Sequence, residues 1–220
     1  MQKEREAHRK MSKYFTRDKF HYCFRVLSHP LDAFYEIRHR ERGSVPISLI
    51  LVAIFSICYS MNRLCSSFIV NDVDPRDVDS PHEMLAIFML VLLFSVGNWS
   101  ITCLMNGEGR FKDIVTVVGY SLMPMIITYI PAIILSQFMS LNESGFYSLI
   151  MIVGTAWTVL LILVGIMTVH NYSLLKTIVT LILSVIAILI ILFIMLLLSD
   201  LVSQVYSFFH SIYLELVFRS

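Results

Sequence analysis

The chain has 220 residues, of which 57% are hydrophobic, and its mean hydropathy is +0.74. This composition excludes an ordinary water-soluble domain, because so much apolar surface cannot be buried inside a protein of this length. The formal net charge of +1 conceals a strongly basic N-terminal segment, and we expect no nucleic-acid partner.

Residues 1–45 form the first predicted unit, a basic, amphipathic cytoplasmic arm that is too short and too charged to build its own core. Apolar side chains at helical spacing predict a helix on the membrane surface, with Phe20, Cys23, Phe24 and Leu27 on one side. Pro30 can begin a second helix, whose apolar stripe is Leu31, Phe34 and Ile37. The arm either anchors the chain to anionic lipid or docks a soluble partner.

Five stretches with almost no charge follow the arm. A helix rises ~1.5 Å per residue and the hydrocarbon core of a bilayer is ~30 Å thick, so each stretch is long enough to cross it. They cover residues 46–70, 84–107, 114–142, 145–175 and 177–199. The prediction is an all-α fold, a polytopic membrane bundle of five transmembrane helices at 46–200, with the lipid bilayer as its first partner.

The orientation follows from the basic residues, which are retained on the cytoplasmic side of a membrane. The first 45 residues contain 11 Lys and Arg residues, whereas the loop at 71–83 contains five acidic residues and a single arginine. We therefore expect a cytoplasmic N-terminus and an external C-terminus.

The third stretch contains Pro124 and Pro131, which cannot donate a backbone hydrogen bond. The two predicted kinks either open a cavity in the middle of the membrane or shape packing between helices. Polar side chains in or near the spans are expected to form hydrogen bonds between helices; they are Asn62, Asn98, Gln137, His170 and Asn171.

Residues 201–220 have apolar and polar side chains at a spacing that places them on opposite sides of a helix. They predict a C-terminal amphipathic helix along the outer membrane surface, where aromatic side chains are favoured. Contact with another membrane protein is the alternative for this segment.

Motifs for catalysis and metal binding are incomplete. His82 and Glu83 begin a zinc-protease pattern, but no second histidine follows at the required spacing. The four cysteines form no CxxC pair. We expect neither an enzyme nor a cofactor or metal site.

The turn after the second stretch is the most distinctive polar segment, and it reads NGEGRFKD from Asn106 to Asp113. Gly107 and Gly109 are expected to supply the positive φ of a tight reversal, while Glu108, Arg110 and Lys112 keep the turn in water. The segment is either a simple helical-hairpin turn or a contact surface for a partner.

Residues 97–125 resemble the signature of the Yip family of five-span membrane proteins, which are named for interaction with Rab/Ypt GTPases. The residues that carry the resemblance are Asn98, Trp99, Gly107, Glu108, Gly109, Phe111, Lys112, Tyr120 and Pro124. Weaker similarity extends over about residues 25–195. The resemblance implies a five-helix bundle with a cytoplasmic N-terminus and no catalytic residues. With Arg110 and Asp113, the residues of this block are candidates for partner contact.

Eukaryotic Yip proteins act in vesicle traffic with small GTPases, but their N-terminal region is usually longer than this one. Bacterial relatives with the same NW and GEG pattern occur beside ABC transporter components. The resemblance therefore implies a non-enzymatic accessory or scaffold protein of the bacterial plasma membrane, which binds other membrane proteins such as ABC transporter subunits. A transporter or lipid-moving protein and an organiser that recruits a small GTPase are the alternatives. Self-association stays open.

Overall fold

A computed structural model describes residues 17–40, 43–71 and 73–219. The α-helices within these ranges are α1 Arg17–Ser28, α2 Pro30–His39, α3 Val45–Cys65, α4 Ser80–Leu104, α5 Phe111–Ser121, α6 Met123–Ser136, α7 Ser144–His170 and α8 Leu174–Arg219. Short 3-10 turns cover Pro75–Asp77 and Leu141–Glu143. The predicted all-α fold is confirmed.

Five helical segments are long and apolar enough to cross a membrane. They are α3, α4, α5 together with α6, α7 and α8, in the predicted order. The second span begins at Ser80 and not at residue 84, because Asp79 Oδ1 accepts a hydrogen bond from the His82 backbone N–H at 3.3 Å. Pro81 occupies the first turn of this helix, where no N–H is needed.

The third span is divided at Leu122, and it is the most buried of the five. Pro124 lies in the first turn of α6, so its missing N–H falls where a helix has no internal partner. Pro131, in contrast, lies in the interior of α6. One of the two predicted kinks is therefore a boundary between two helices.

Both arm helices pack into the core of the bundle. Their buried side chains are Tyr22, Cys23, Val26, Ala33, Phe34 and Ile37, and they join one apolar cluster with residues of α3, α5 and α7. Phe24 and Leu31, also predicted on the apolar sides of the arm, are 63% and 54% exposed. The side chain of Phe20 lies outside the described residues. The apolar core thus contains side chains from α1 and α2 as well as from the spans.

Glu36 joins the two arm helices. Its carboxylate accepts a hydrogen bond from the Tyr22 hydroxyl and pairs with Arg25 at 3.4 Å and with Arg40 at 3.5 Å. Burial raises the pKa of the neighbouring Cys23 thiol to about 11. Helices α1 and α2 are therefore packed structural elements, and Cys23 is a poor nucleophile at neutral pH.

Several of the polar side chains predicted to join helices do so. Asn98 Nδ2 donates to Ser184 Oγ at 3.0 Å between α4 and α8. Asn62 Nδ2 donates to the Tyr147 hydroxyl at 2.9 Å between α3 and α7. Gln137 Nε2 donates to the carbonyl of Cys65. Such bonds contribute ~0.6–2 kcal/mol each in a membrane.

The C-terminal segment continues the fifth span as one helix, from Leu174 to Arg219. At ~1.5 Å per residue, its 46 residues extend over roughly 69 Å, more than twice the thickness of a hydrocarbon core. The described side chains beyond residue 192 are exposed. The segment is helical as predicted, and its position on the outer surface stays a prediction.

Loops alternate between the two ends of the bundle. The end of α2, the turn at 105–110 and the turn at 171–173 meet at one end, where Arg38 contacts Glu108 and His170 contacts Gly109. The loops at 66–79 and 137–143 lie at the other end, where the Ser67 backbone N–H donates to Ser136 Oγ. This is the alternation that five spans require.

Candidate functional site

Two turns lie against each other, and each contains an asparagine in the left-handed conformation. Asn106 has φ 54° after α4, and Asn171 has φ 55° after α7. Asparagine adopts this conformation more readily than other residues with a Cβ. The prediction that Gly107 and Gly109 supply positive φ is wrong, because no described glycine has a positive φ. We refer to residues 105–113 and 170–173, together with Arg38, as the turn junction.

The glycines permit close approach of the backbone to a histidine ring. A Cβ on Gly107 would lie 2.5 Å from His170 Nδ1 and 2.7 Å from the Tyr172 hydroxyl oxygen. A Cβ on Gly109 would lie 2.6 Å from Val169 Cγ1 and 2.7 Å from His170 Cε1. These distances are too short for packed atoms, so a side chain at either position would force its neighbours to move.

His170 is the centre of this contact and is 1% exposed. The Gly109 backbone N–H donates to its Nδ1 at 3.2 Å, which assigns the ring proton of the neutral tautomer to Nε2. The ring stacks on Tyr172, with 5.3 Å between centroids. His170 therefore joins the fourth span to the turn between spans two and three.

Tyr172 completes the junction, although the sequence analysis did not identify it. Its hydroxyl donates to the carbonyl of Met105 at 3.2 Å. Burial raises the pKa of this hydroxyl. Lys176 Nζ lies 4.0 Å from the centroid of the Tyr172 ring, a cation–π contact. An aromatic residue two positions after His170 is the sequence feature that could have pointed to this contact.

Glu108 is fixed by the arm. Arg38 Nη2 donates to Glu108 Oε2 at 2.7 Å across 70 residues of sequence. The Arg38 side chain is 14% exposed and that of Glu108 is 59% exposed. A mostly buried guanidinium thus holds an exposed carboxylate in one orientation.

Arg110 and Asp113 stabilise the start of α5. One carboxylate oxygen of Asp113 accepts bonds from the backbone N–H and the Nε of Arg110, each at 3.1 Å. A carboxylate in the first turn also interacts favourably with the positive end of the helix dipole. Two of the predicted partner-contact residues therefore have a local structural function. Lys112 is exposed beside them.

The remaining predicted residues divide by burial. Trp99 and Phe111 form an edge-to-face pair with 6.0 Å between centroids, and Trp99 is partly exposed. Asn98, Tyr120 and Pro124 are buried inside the bundle. These three residues support packing and lie away from the exposed part of the turn junction.

A cleft of about 400 Å³ opens beside the turn junction. Residues from α2, the turn and the end of α7 line it, among them Tyr35, Arg38, Glu108, Thr168, Asn171 and Tyr172. Within the described residues, no group of three or more His, Cys, Asp or Glu side chains could hold a metal ion. Charged and hydrogen-bonding side chains, among them Arg38, Glu108 and Asn171, line the cleft.

A scan against known protein families matches residues 24–197 to the Yip1 domain. Searches of curated proteins and of solved structures find no match. The matched region begins inside α1 and ends inside α8, and it contains the whole turn junction. This chain, with its five apolar spans, is an integral membrane protein and belongs to the Yip family.

Proposed function

We infer that the protein is a non-enzymatic scaffold or accessory subunit that binds another membrane protein through its turn junction. The observation that carries this proposal is the exposed Glu108 carboxylate held at 2.7 Å by the mostly buried Arg38. A charged group fixed before binding loses little conformational freedom in a complex. A simple turn needs no such support from an arm helix 70 residues away.

The partner class follows from the family resemblance and from charge. Bacterial Yip proteins with the NW and GEG pattern occur beside ABC transporter components, so we propose a membrane subunit of such a transporter as the partner. The end that carries the turn junction is also rich in cations, namely Arg25, Arg38, Arg40, Arg110, Lys112 and Lys176. Positive residues favour a cytoplasmic position for this end in a bacterial plasma membrane.

Co-purification tests the proposal. Glu108→Ala combined with Lys112→Ala removes two charges from the turn without touching the His170 contact. The matched control, Arg76→Ala combined with Asp77→Ala, removes one cation and one carboxylate at the opposite end. We expect the first pair to lower the yield of the co-purified membrane protein at least several-fold and the control to leave it unchanged. Equal yields for both pairs would reduce the turn junction to a structural turn.

A further inference from the structure

We propose that the cleft beside the turn junction binds the phosphate headgroup of an anionic phospholipid, with Arg38 as its principal ligand. The cleft shares Glu108 with the surface that we assign to a protein partner, whereas Lys112 does not line the cleft.

Arg38 has an incomplete set of partners. Its Nη2 donates to Glu108, whereas its Nη1 is buried and has no acceptor among the described residues. A buried N–H of a charged group is unfavourable without an acceptor. The planar guanidinium presents parallel N–H groups that match the oxygens of a phosphate. Because Arg38 also lines the cleft, a reorientation of its guanidinium would bring Nη1 to an acceptor from outside the chain.

The charges around the cleft favour an anion. Arg38 and Glu108 both line it, and His39 contributes an imidazole. Lys176 adds a second cation, since its ammonium lies 4.0 Å from the ring of Tyr172, which forms part of the wall. In the wall of the cleft the charges of Arg38 and Glu108 offset each other, and Lys176 beside Tyr172 adds a positive charge near the cleft.

The position of the cleft favours a lipid over a soluble anion. Met167 and Thr168 line it and belong to the last turn of α7, which ends with the span at His170. Since one helical turn rises ~5.4 Å, we expect these residues to lie near the boundary between hydrocarbon and headgroups. Leu31, Tyr35 and Leu174 are exposed near the same end and can contact acyl chains. Basic groups at this depth attract anionic lipid.

Native mass spectrometry of the purified full-length chain in a neutral detergent tests the site. The probes are phosphatidylglycerol, phosphatidylcholine and inorganic phosphate. We expect phosphatidylglycerol to bind with a defined affinity and the other two at least about tenfold more weakly. Arg38→Gln should weaken phosphatidylglycerol binding about tenfold, because it removes a charged hydrogen-bond donor. The matched control is Arg40→Gln on the same helix end, whose side chain is 62% exposed. It should change the affinity less than twofold.

A third variant separates ligand binding from folding. Glu108→Gln removes the carboxylate that competes for the guanidinium, so we expect about threefold tighter binding of phosphatidylglycerol. A folding defect could not tighten binding. The proposal fails if Arg38→Gln and Arg40→Gln behave alike, or if Glu108→Gln leaves the affinity unchanged or weaker. It also fails if inorganic phosphate binds as tightly as phosphatidylglycerol, which would indicate a site for a free anion, or if phosphatidylcholine does, which would indicate a site without preference for anionic lipid. None of these results depends on the protein partner proposed above.

Discussion

Replacement of Gly107 by alanine tests whether the turn junction depends on the close approach of this residue to His170 and Tyr172. The new Cβ would lie 2.5 Å from His170 Nδ1, 2.7 Å from the Tyr172 hydroxyl oxygen and 2.9 Å from Thr102 Cβ. Ordinary van der Waals contact begins near 3.4 Å, so these three neighbours would have to move apart by several tenths of an ångström or more. All three are buried, and two belong to the stacked His170–Tyr172 pair.

The expected cost follows from overpacking alone. Gly107 has no positive φ, so alanine meets no backbone strain there. Overpacking of a dense interior costs roughly 1–3 kcal/mol. For a chain of this size, the unfolding temperature falls by about 2–4 °C per kcal/mol.

Thermal unfolding in detergent, followed by circular dichroism, measures the effect. Gly145→Ala is the matched control, because a Cβ there meets no atom within 4 Å. It should leave the unfolding temperature unchanged or raise it slightly, since alanine is the better helix former. In a His170→Ala background, Gly107→Ala should cost less than in the parent chain, because its nearest neighbour is gone. Equal unfolding temperatures for Gly107→Ala and Gly145→Ala would refute the close-approach role of Gly107.

Further predictions concern the arm and the orientation. Phe34→Ala should lower the free energy of unfolding by roughly 3–5 kcal/mol, because Phe34 is fully buried in the core; a change under about 1 kcal/mol would show that α2 merely lies on the bilayer. Burial raises the pKa of the Cys23 thiol to about 11, so Cys23 carries very little thiolate at pH 7. In detergent a maleimide should therefore label exposed Cys103 far faster than Cys23, and equal rates in the folded protein would contradict the burial of α1. A cysteine introduced at Asp77 should react in intact cells and one at exposed Lys112 only after permeabilisation, and the reverse result would invert the proposed orientation.

The transmembrane organisation could be predicted because it depends on local composition. Each apolar run is longer than the bilayer requires, and this property belongs to one segment at a time. The start of α2 at Pro30 was predictable for the same reason, since a proline in a first turn is a local signal. α4 begins four residues before the predicted charge-free stretch, because Asp79 caps the helix and the apolar pattern does not reveal a cap.

The turn junction could be located but not understood from the sequence. Its glycines suggested a tight reversal, whereas their function is to admit His170, a residue 61 positions from Gly109. The contact between Arg38 and Glu108 spans 70 residues and depends on how the arm packs. Burial of Phe34 likewise depends on neighbours in other helices. Pairings of this kind are set by tertiary structure, and periodicity within one segment carries no information about them.

Site-specific photocrosslinking in membranes tests the central claim most directly, namely that the turn junction binds another membrane protein. A photoreactive amino acid would replace Leu104, which is 81% exposed and directly precedes the turn junction, so that Glu108 is retained; in a parallel sample it would replace Asp77 at the opposite end. We predict that position 104 crosslinks to one membrane protein, that this protein is an ABC transporter subunit, and that position 77 does not crosslink to it. Crosslinking of the same proteins from both positions, or of no protein from position 104, would contradict the proposed function.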